Sequence, residues 1–509
     1  MSRKRKELPI IENIEITDVA SEGNAIARIG ENGIVVFIPF GAPGDIADIK
    51  IDKKRKSYAN GHIERLVTPS SIRVEPRCEH FGICGGCRWQ HLPYEFQLRC
   101  KQKQVEDALN RIAKVELPEI SPIKGSPTQW EYRNKMEYTF SNHCWLTFEQ
   151  LRSGEEFPDR EAAGFHLPGA FNKVLDINKC HLQDNLSNKI RIFVKEFAKS
   201  HGLTFYDMKE NHGLLRTMMV RIASTGQVMV VIQFGEDNPA QIKTVLDALR
   251  EEFPQITSIM YVINLKLNDS IADQEVLLHS GQDHIIEKME NLSFRVGPKS
   301  FYQTNSAGAY ELYKVVRDFA DLSGSELVYD LYTGTGTIAN FVSSGARHVI
   351  GIEYVEDAIT DARINSANNK ISNTEFFAGD MKDVLTDSFI EHHGRPEVMI
   401  VDPPRAGMHD DVIKVILNAE PERIIYVSCN PATQARDISL LDIKYRVEKV
   451  QPVDMFPHTQ HVENVVRLAL RSPENREIHA HDIAMAKARR EAEMHAARQI
   501  ADSNEDLQD

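Results

Sequence analysis

Between Leu292 and Leu470 five short apolar runs, ELVYDLY, HVIGIEY, TEFFAGD, EVMIVDPP and RIIYVSCN, alternate with segments of helical character. This alternation constrains the chain more than any other feature. Strands buried on both faces read as near-continuous apolar runs, and parallel neighbours need a crossover, usually a helix, between them. It therefore predicts a doubly wound parallel α/β sheet over this segment. Ligands of such sheets bind beyond the carboxyl ends of the strands, so chemistry is expected from the residues that follow each run.

Those residues form a coherent set. Leu327–Tyr332 runs into Thr333-Gly334-Thr335-Gly336-Thr337 and a helical stretch, a turn where glycines let backbone N–H groups approach a ligand with no Cβ in the way. Glu353 ends the next strand, where a carboxylate can accept hydrogen bonds from both hydroxyls of a ribose. Gly379-Asp380 follows the third run and Asp402-Pro403-Pro404-Arg405 the fourth. Asp380 is expected to reach an adenine amino group and Asp402 to face the reacting centre. The glycine turn and Glu353 alone fit a nicotinamide-dependent oxidoreductase too, but Asp402 and the strand-end Cys429 give that reading little support. A thiol there suits methylation at C5 of a pyrimidine. Sulfur adds at C6 and charge develops at C5; once a methyl group has been transferred, a base removes the C5 proton to expel the sulfur. Glu463, in Thr459-Gln460-His461-Val462-Glu463, is the nominated base.

The rest of the chain reads differently. From Leu8 to Val67, short strands broken by Gly23, Gly30, Gly33 and Gly41-Ala42-Pro43-Gly44 predict a small β-barrel. From Arg77 to Asn291 the pattern is mixed α/β, with helices expected over Pro93–Ala113 and Asn185–His201. These divisions give four segments: a barrel (1–75), a central domain (76–291), the doubly wound sheet (292–472) and a tail (473–509) read as an exposed helix fraying into disorder. For 509 residues, about three domains is the expected number. No apolar run approaches the roughly 20 residues of a membrane-spanning helix, and acidic residues follow the basic N-terminus where a signal peptide would be apolar. A soluble, cytoplasmic protein is expected, with its seven cysteines reduced.

Three of these stand in CEHFGICGGC as Cys78, Cys84 and Cys87. Thiolates so spaced select zinc or an iron–sulfur cluster, with Cys180 the favoured fourth ligand over Cys100 and Cys144; spacing leaves the metal open. The formal net charge of −14 argues against a polyanion partner, yet residues 1–75 carry 12 Lys+Arg against 11 Asp+Glu, with clusters at Arg3–Lys6 and Lys53–Lys56. RNA contact is expected on that localised surface.

Taken in order, FYQTN (Phe301–Asn305), DLYTGTG, DPPRAG (Asp402–Gly407), SCNP and TQHVE resemble the RNA uracil-C5-methyltransferase family, which uses S-adenosyl-L-methionine. The cysteine segment with the distant Cys180-His181-Leu182, behind a basic barrel, is similar to the branch that has a TRAM domain and a [4Fe-4S] cluster and acts on 23S rRNA. The resemblance implies a class I methyltransferase sheet behind an OB-like TRAM barrel and a central iron–sulfur domain. It implies that Gln303, Tyr332, Glu353 and Asp402 hold the cofactor, that Cys429 is the nucleophile and Glu463 the base, and that Cys78, Cys84, Cys87 and Cys180 bind the cluster. Thr337 stands where relatives often have Asn. The implied partner is RNA, 23S rRNA ahead of tRNA, with no membrane and no obligate protein partner. A non-catalytic RNA-binding or ribosome-assembly protein on the same scaffold is the rival.

Overall fold

The computed structural model describes residues 9–30, 33–479 and 485. The Arg3–Lys6 cluster and most of the 473–509 tail lie outside the described residues. Strands Ile10–Val19, Ala25–Ile29, Ile34–Ile38, Ile46–Lys54 and Tyr58–Thr68 close a barrel in the order first, second, third, fifth, fourth. Alternation fills it: Ile16, Ala27, Val36, Ile38, Ala47 and Ile49 point inward and are fully buried. Lys53, Lys54, Arg55 and Lys56 stand exposed where the fourth strand ends.

A central seven-stranded sheet follows, in the order Leu277–Gly281, Ser258–Ile263, Val228–Phe234, Leu215–Ile222, Lys135–Ser141, Ala162–Leu167, Ala170–Asp176. One parallel pair, Val228–Phe234 with Ser258–Ile263, is bridged by the helix Pro239–Glu252. The helix Asn185–Ser200 covers the same core, started by the Asp184 carboxylate accepting from the Leu186 N–H.

The carboxyl-terminal sheet runs Thr374–Ala378, His348–Glu353, Leu327–Leu331, Val398–Val401, Arg423–Ser428, Glu463–Leu470, Tyr445–Val453. Its first five strands are parallel, as the alternating pattern required, and the last two form an antiparallel hairpin on the edge. The strand Leu327–Leu331 is buried throughout, which explains its lack of polar alternation.

Two segments assigned wholly or partly to the central domain by position pack wholly or partly against the carboxyl-terminal sheet. The helix Tyr94–Ala108, extended by one π-turn to Ala113, buries Val105, Ala108 and Leu109 against the carboxyl-terminal sheet, beside Tyr445, Val450 and Val466. The hairpin Ile285–Met289/Leu292–Val296 straddles the expected 291/292 division and packs Ile285, Phe294 and Val296 into a core shared with Val328 and Ile400. No helix among the described residues is long and apolar enough to cross a membrane.

Candidate active site

A cleft of about 1450 Å³ opens at the carboxyl edge of this sheet. Gln303, Tyr332, Glu353, Asp402, Cys429 and Glu463 all line it. Its opposite wall comes partly from the central domain and the hairpin, through Arg133, Lys135, Arg295 and Lys299, and Gly86 of the cysteine loop also borders it.

The cofactor turn is held by geometry that only its sequence allows. Gly336 has φ +72°, and a Cβ there would lie 2.8 Å from Ala362 Cβ and 3.0 Å from the Phe376 ring. Tyr332 takes the left-handed conformation too, at φ 64°, a strained setting for a large side chain at a site edge. The Glu353 carboxylate accepts from the backbone N–H groups of Gly334 (3.1 Å) and Val355 (3.0 Å), which orients it toward the cleft. The Gln303 carbonyl accepts from Asn134 Nδ2 at 2.8 Å, so the central sheet fixes the FYQTN loop. Asp380 does not line the cleft: it caps the turn Met381–Val384 by accepting from the Lys382 N–H. Thr337 is buried, its hydroxyl 3.2 Å from that of Thr335.

The reactive corner is built by strand register. Ser428 pairs with Asn464 in the antiparallel ladder, so the next positions, Cys429 and Glu463, adjoin at the cleft floor. Asn430 caps the helix Pro431–Leu441, and its Nδ2 and the Thr433 hydroxyl both donate to the Arg405 carbonyl, tying the SCNP turn to the DPPR loop.

Burial at this corner shifts the acids strongly. Desolvation lifts Asp402 to about 8, with the Glu463 charge adding to it. Glu463 is lifted by burial to about 7, although Arg405 and then Lys101 pull it down. Behind the cofactor turn, burial raises Asp330 to about 7, and its Oδ1 has no partner. The Cys429 thiol is raised by burial and by Glu463, while Arg405 opposes both. His461 is lowered to about 4 by burial, with Arg405 and Lys101 contributing, and is neutral at pH 7. Perturbed carboxyls of this kind beside a thiol in one cleft mark a site for proton transfer.

Cys78, Cys84, Cys87 and Cys180 gather on one side of the cysteine loop. Burial pushes Cys87 up to about 12 and Cys84 to about 11, and it raises Cys78 and Cys180; neighbouring thiols add to the rise at Cys84, Cys87 and Cys180. Gly85 (φ +77°) makes the turn possible, since a Cβ there would meet Pro168 Cγ at 2.5 Å. Cys100 and Cys144 fall outside the quartet, one beside Asp18 and the other beside Arg160. Among the described residues no three His, Cys, Asp or Glu are spaced to hold a single metal ion.

Sequence reasoning missed Arg405 as a partner of both Cys429 and Glu463, although DPPR was singled out. It also missed Phe301, two-thirds exposed at the cleft wall, and Lys101. Lys101 did leave a signal: with Gln97, Val105 and Ala108 it falls on the buried stripe of its helix.

The family model described as tRNA (Uracil-5-)-methyltransferase matches residues 243–471, and the TRAM domain model matches residues 11–63. A protein of Bacteroides thetaiotaomicron named as an RNA methyltransferase is 56% identical over 456 residues, 89% of this chain and 100% of the relative. One of Chlorobaculum tepidum, also named as an RNA methyltransferase, is 37% identical over 458 residues, 89% and 95% of the two chains. The chain belongs to the RNA uracil-5-methyltransferase family. Among solved structures, the tRNA (uracil-54, C5)-methyltransferase of Pyrococcus abyssi, in complex with S-adenosyl-L-homocysteine, superposes with a TM-score of 0.69 at 28% identity. The match covers 90% of this chain and 100% of that one. The five-stranded barrel of this methyltransferase is thus its TRAM domain, and the doubly wound sheet its cofactor-binding half.

Proposed function

We propose that the protein methylates C5 of a uridine in RNA, with 23S rRNA as the substrate, using Cys429 as nucleophile and Glu463 as base. The observation that carries the reading is the register that sets Cys429 against Glu463 at one end of the cleft whose other end holds Tyr332 and Glu353. S-adenosyl-L-methionine, when bound, supplies an electrophilic methyl group. Glu353 would accept from the ribose hydroxyls, and Gln303, Tyr332 and Asp402 would shape the rest of its pocket; Asp380 would contribute from outside the lining.

A uridine must leave its stack to reach the cleft floor. The Arg405 guanidinium favours the Cys429 thiolate, whose sulfur lone pair forms a bond to C6 while the C5–C6 π electrons move onto C5 and O4. C5 then takes the methyl group. The Glu463 carboxylate removes the C5 proton, the electron pair re-forms the double bond, and the S–C6 bond breaks with its electrons returning to sulfur. A base with a pKa near 7 is matched to that step at neutral pH.

The cysteine quartet fits a [4Fe-4S] cluster: it offers four soft sulfur donors, each with its thiol raised by burial. The four cysteines would hold it in a structural role that shapes the Gly86 edge of the cleft.

Transfer RNA is the second reading, favoured by the substrate named for the Pyrococcus abyssi enzyme. Mapping 5-methyluridine in ribosomal and transfer RNA from cells with and without the gene tests both. Loss of one 23S rRNA site is expected. Loss from tRNA alone would select the second reading, and no loss anywhere would refute the activity.

A further inference from the structure

The base stands at the end of a loop, residues 454–462, whose polar groups are gripped by the helix Tyr94–Ala108. Lys101 and Asp454 are both fully buried, and Lys101 Nζ donates to Asp454 Oδ1 at 2.6 Å and to the Phe456 carbonyl at 3.0 Å. Tyr94 donates to the other oxygen of Asp454 at 2.8 Å. One turn away on the helix, Gln97 Oε1 accepts from the His458 N–H at 2.8 Å. A fully buried ion pair is a poor device for docking a helix, since two apolar side chains would serve as well or better. The charge is therefore more than docking requires.

We propose that Lys101 is a positioning residue for Glu463: its buried ammonium, anchored by Asp454, fixes the 454–462 loop and sets a positive charge within reach of the base. The inference rests on the reading of Glu463 as base. Four charged or titratable groups bear on Glu463: Asp402, Cys429, Arg405 and Lys101. Lys101 in turn is faced by Asp454, Glu463 and Cys100. His458 and His461, both lowered to about 4, add no charge at neutral pH. Lys101 lowers the Glu463 pKa, as Arg405 does. With Arg405 on the DPPR loop, two cations from different elements offset part of the burial that raises the carboxyl, so that a share of it is ionised at neutral pH and ready to take a proton.

Full-length wild type and Lys101→Met are incubated with S-adenosyl-L-methionine and total RNA from cells lacking the gene, and formation and decay of the covalent RNA adduct are followed from pH 6 to 9. Losing a nearby opposite charge raises a carboxyl pKa by about one unit or more. Lys101→Met is expected to form adduct at the wild-type rate but to resolve it about fivefold more slowly at pH 7, with the two proteins converging by pH 9. If Lys101→Met does not fold, the double variant Lys101→Met/Asp454→Leu, which buries no charge, is expected to show the same displaced profile. Equal lifetimes at pH 7, or a slowing that is the same at every pH, would overturn the positioning role. A wild-type protein that forms no adduct would instead overturn the Cys429 reading and this inference with it.

Discussion

Glu463→Gln should separate the chemistry of the base from its energetic cost. The folded-state pKa of Glu463, about 7, lies above its ordinary value of 4.5. Between those values the folded chain holds a proton that the unfolded chain has released, so stability falls as pH rises through that window and levels off above it. At 1.36 kcal/mol per pKa unit, the ionised carboxylate costs on the order of 3 kcal/mol. Glutamine carries no such penalty but must bury an amide, which offsets part of the gain, leaving about 1–2 kcal/mol. In thermal melts the variant should therefore be slightly the less stable near pH 4.5, where the wild-type carboxyl is protonated and only the amide cost remains, and the more stable by a degree or more near pH 8. The same variant should methylate RNA once and stall as a covalent adduct, because the C5 proton has no acceptor. A melting difference independent of pH, or a variant less stable at pH 8 than at pH 5 relative to wild type, would refute the electrostatic argument; turnover at the wild-type rate would refute the base.

Other outcomes follow from the same structure. Cys429→Ala should abolish both methyl transfer and adduct, read by radiolabelled methyl incorporation and a denaturing gel, while leaving S-adenosyl-L-homocysteine binding intact. Gly336→Ala, with its disfavoured φ and its Cβ driven against Ala362 and Phe376, should cost about 1–3 kcal/mol and weaken cofactor-product binding, measured by melting and titration calorimetry. Replacing Lys53, Lys54, Arg55 and Lys56 with Ala should lower RNA affinity and flatten its salt dependence by up to about one logarithmic unit per lost phosphate contact, with cofactor binding unchanged. Anaerobically prepared protein should contain iron and absorb broadly near about 400 nm, and Cys84→Ser should lose both; stoichiometric zinc would refute the cluster.

The acidic total of −14 is reconciled with an RNA substrate by where the charge lies. The exposed Lys53–Lys56 edge is a local basic surface on an acidic chain, whereas in the cleft wall Lys135 is paired with Glu137 and Arg295 with Asp283 and Asp361. Binding should thus depend on local contacts rather than on bulk attraction, and sequence-blind affinity at moderate salt should be weak.

What the sequence determined by itself was local in origin. Apolar runs of strand length separated by helical stretches specify a doubly wound sheet, because periodicity and crossover geometry leave few alternatives. The short strands broken by Gly23, Gly30, Gly33 and Gly41-Ala42-Pro43-Gly44 point to a barrel in the same way. Strand-end residues announced themselves because the carboxyl edge of such a sheet is where a ligand must sit; Glu353, Asp402 and Cys429 needed only their order. Glu463 emerged from a family resemblance and a mechanistic need, and its setting against Cys429 came from antiparallel register, a pairing between residues 34 positions apart that no local pattern encodes. The tertiary structure alone decided that the helix Tyr94–Ala108 belongs with the carboxyl-terminal sheet, more than 300 residues along the chain. An amphipathic helix declares that it has a buried face, whereas its partner is chosen by the shape and charge of distant surfaces. Burial by those distant surfaces also lifts Asp402 and Glu463 far above ordinary carboxyls, since a pKa records the removal of water, which only the assembled fold accomplishes.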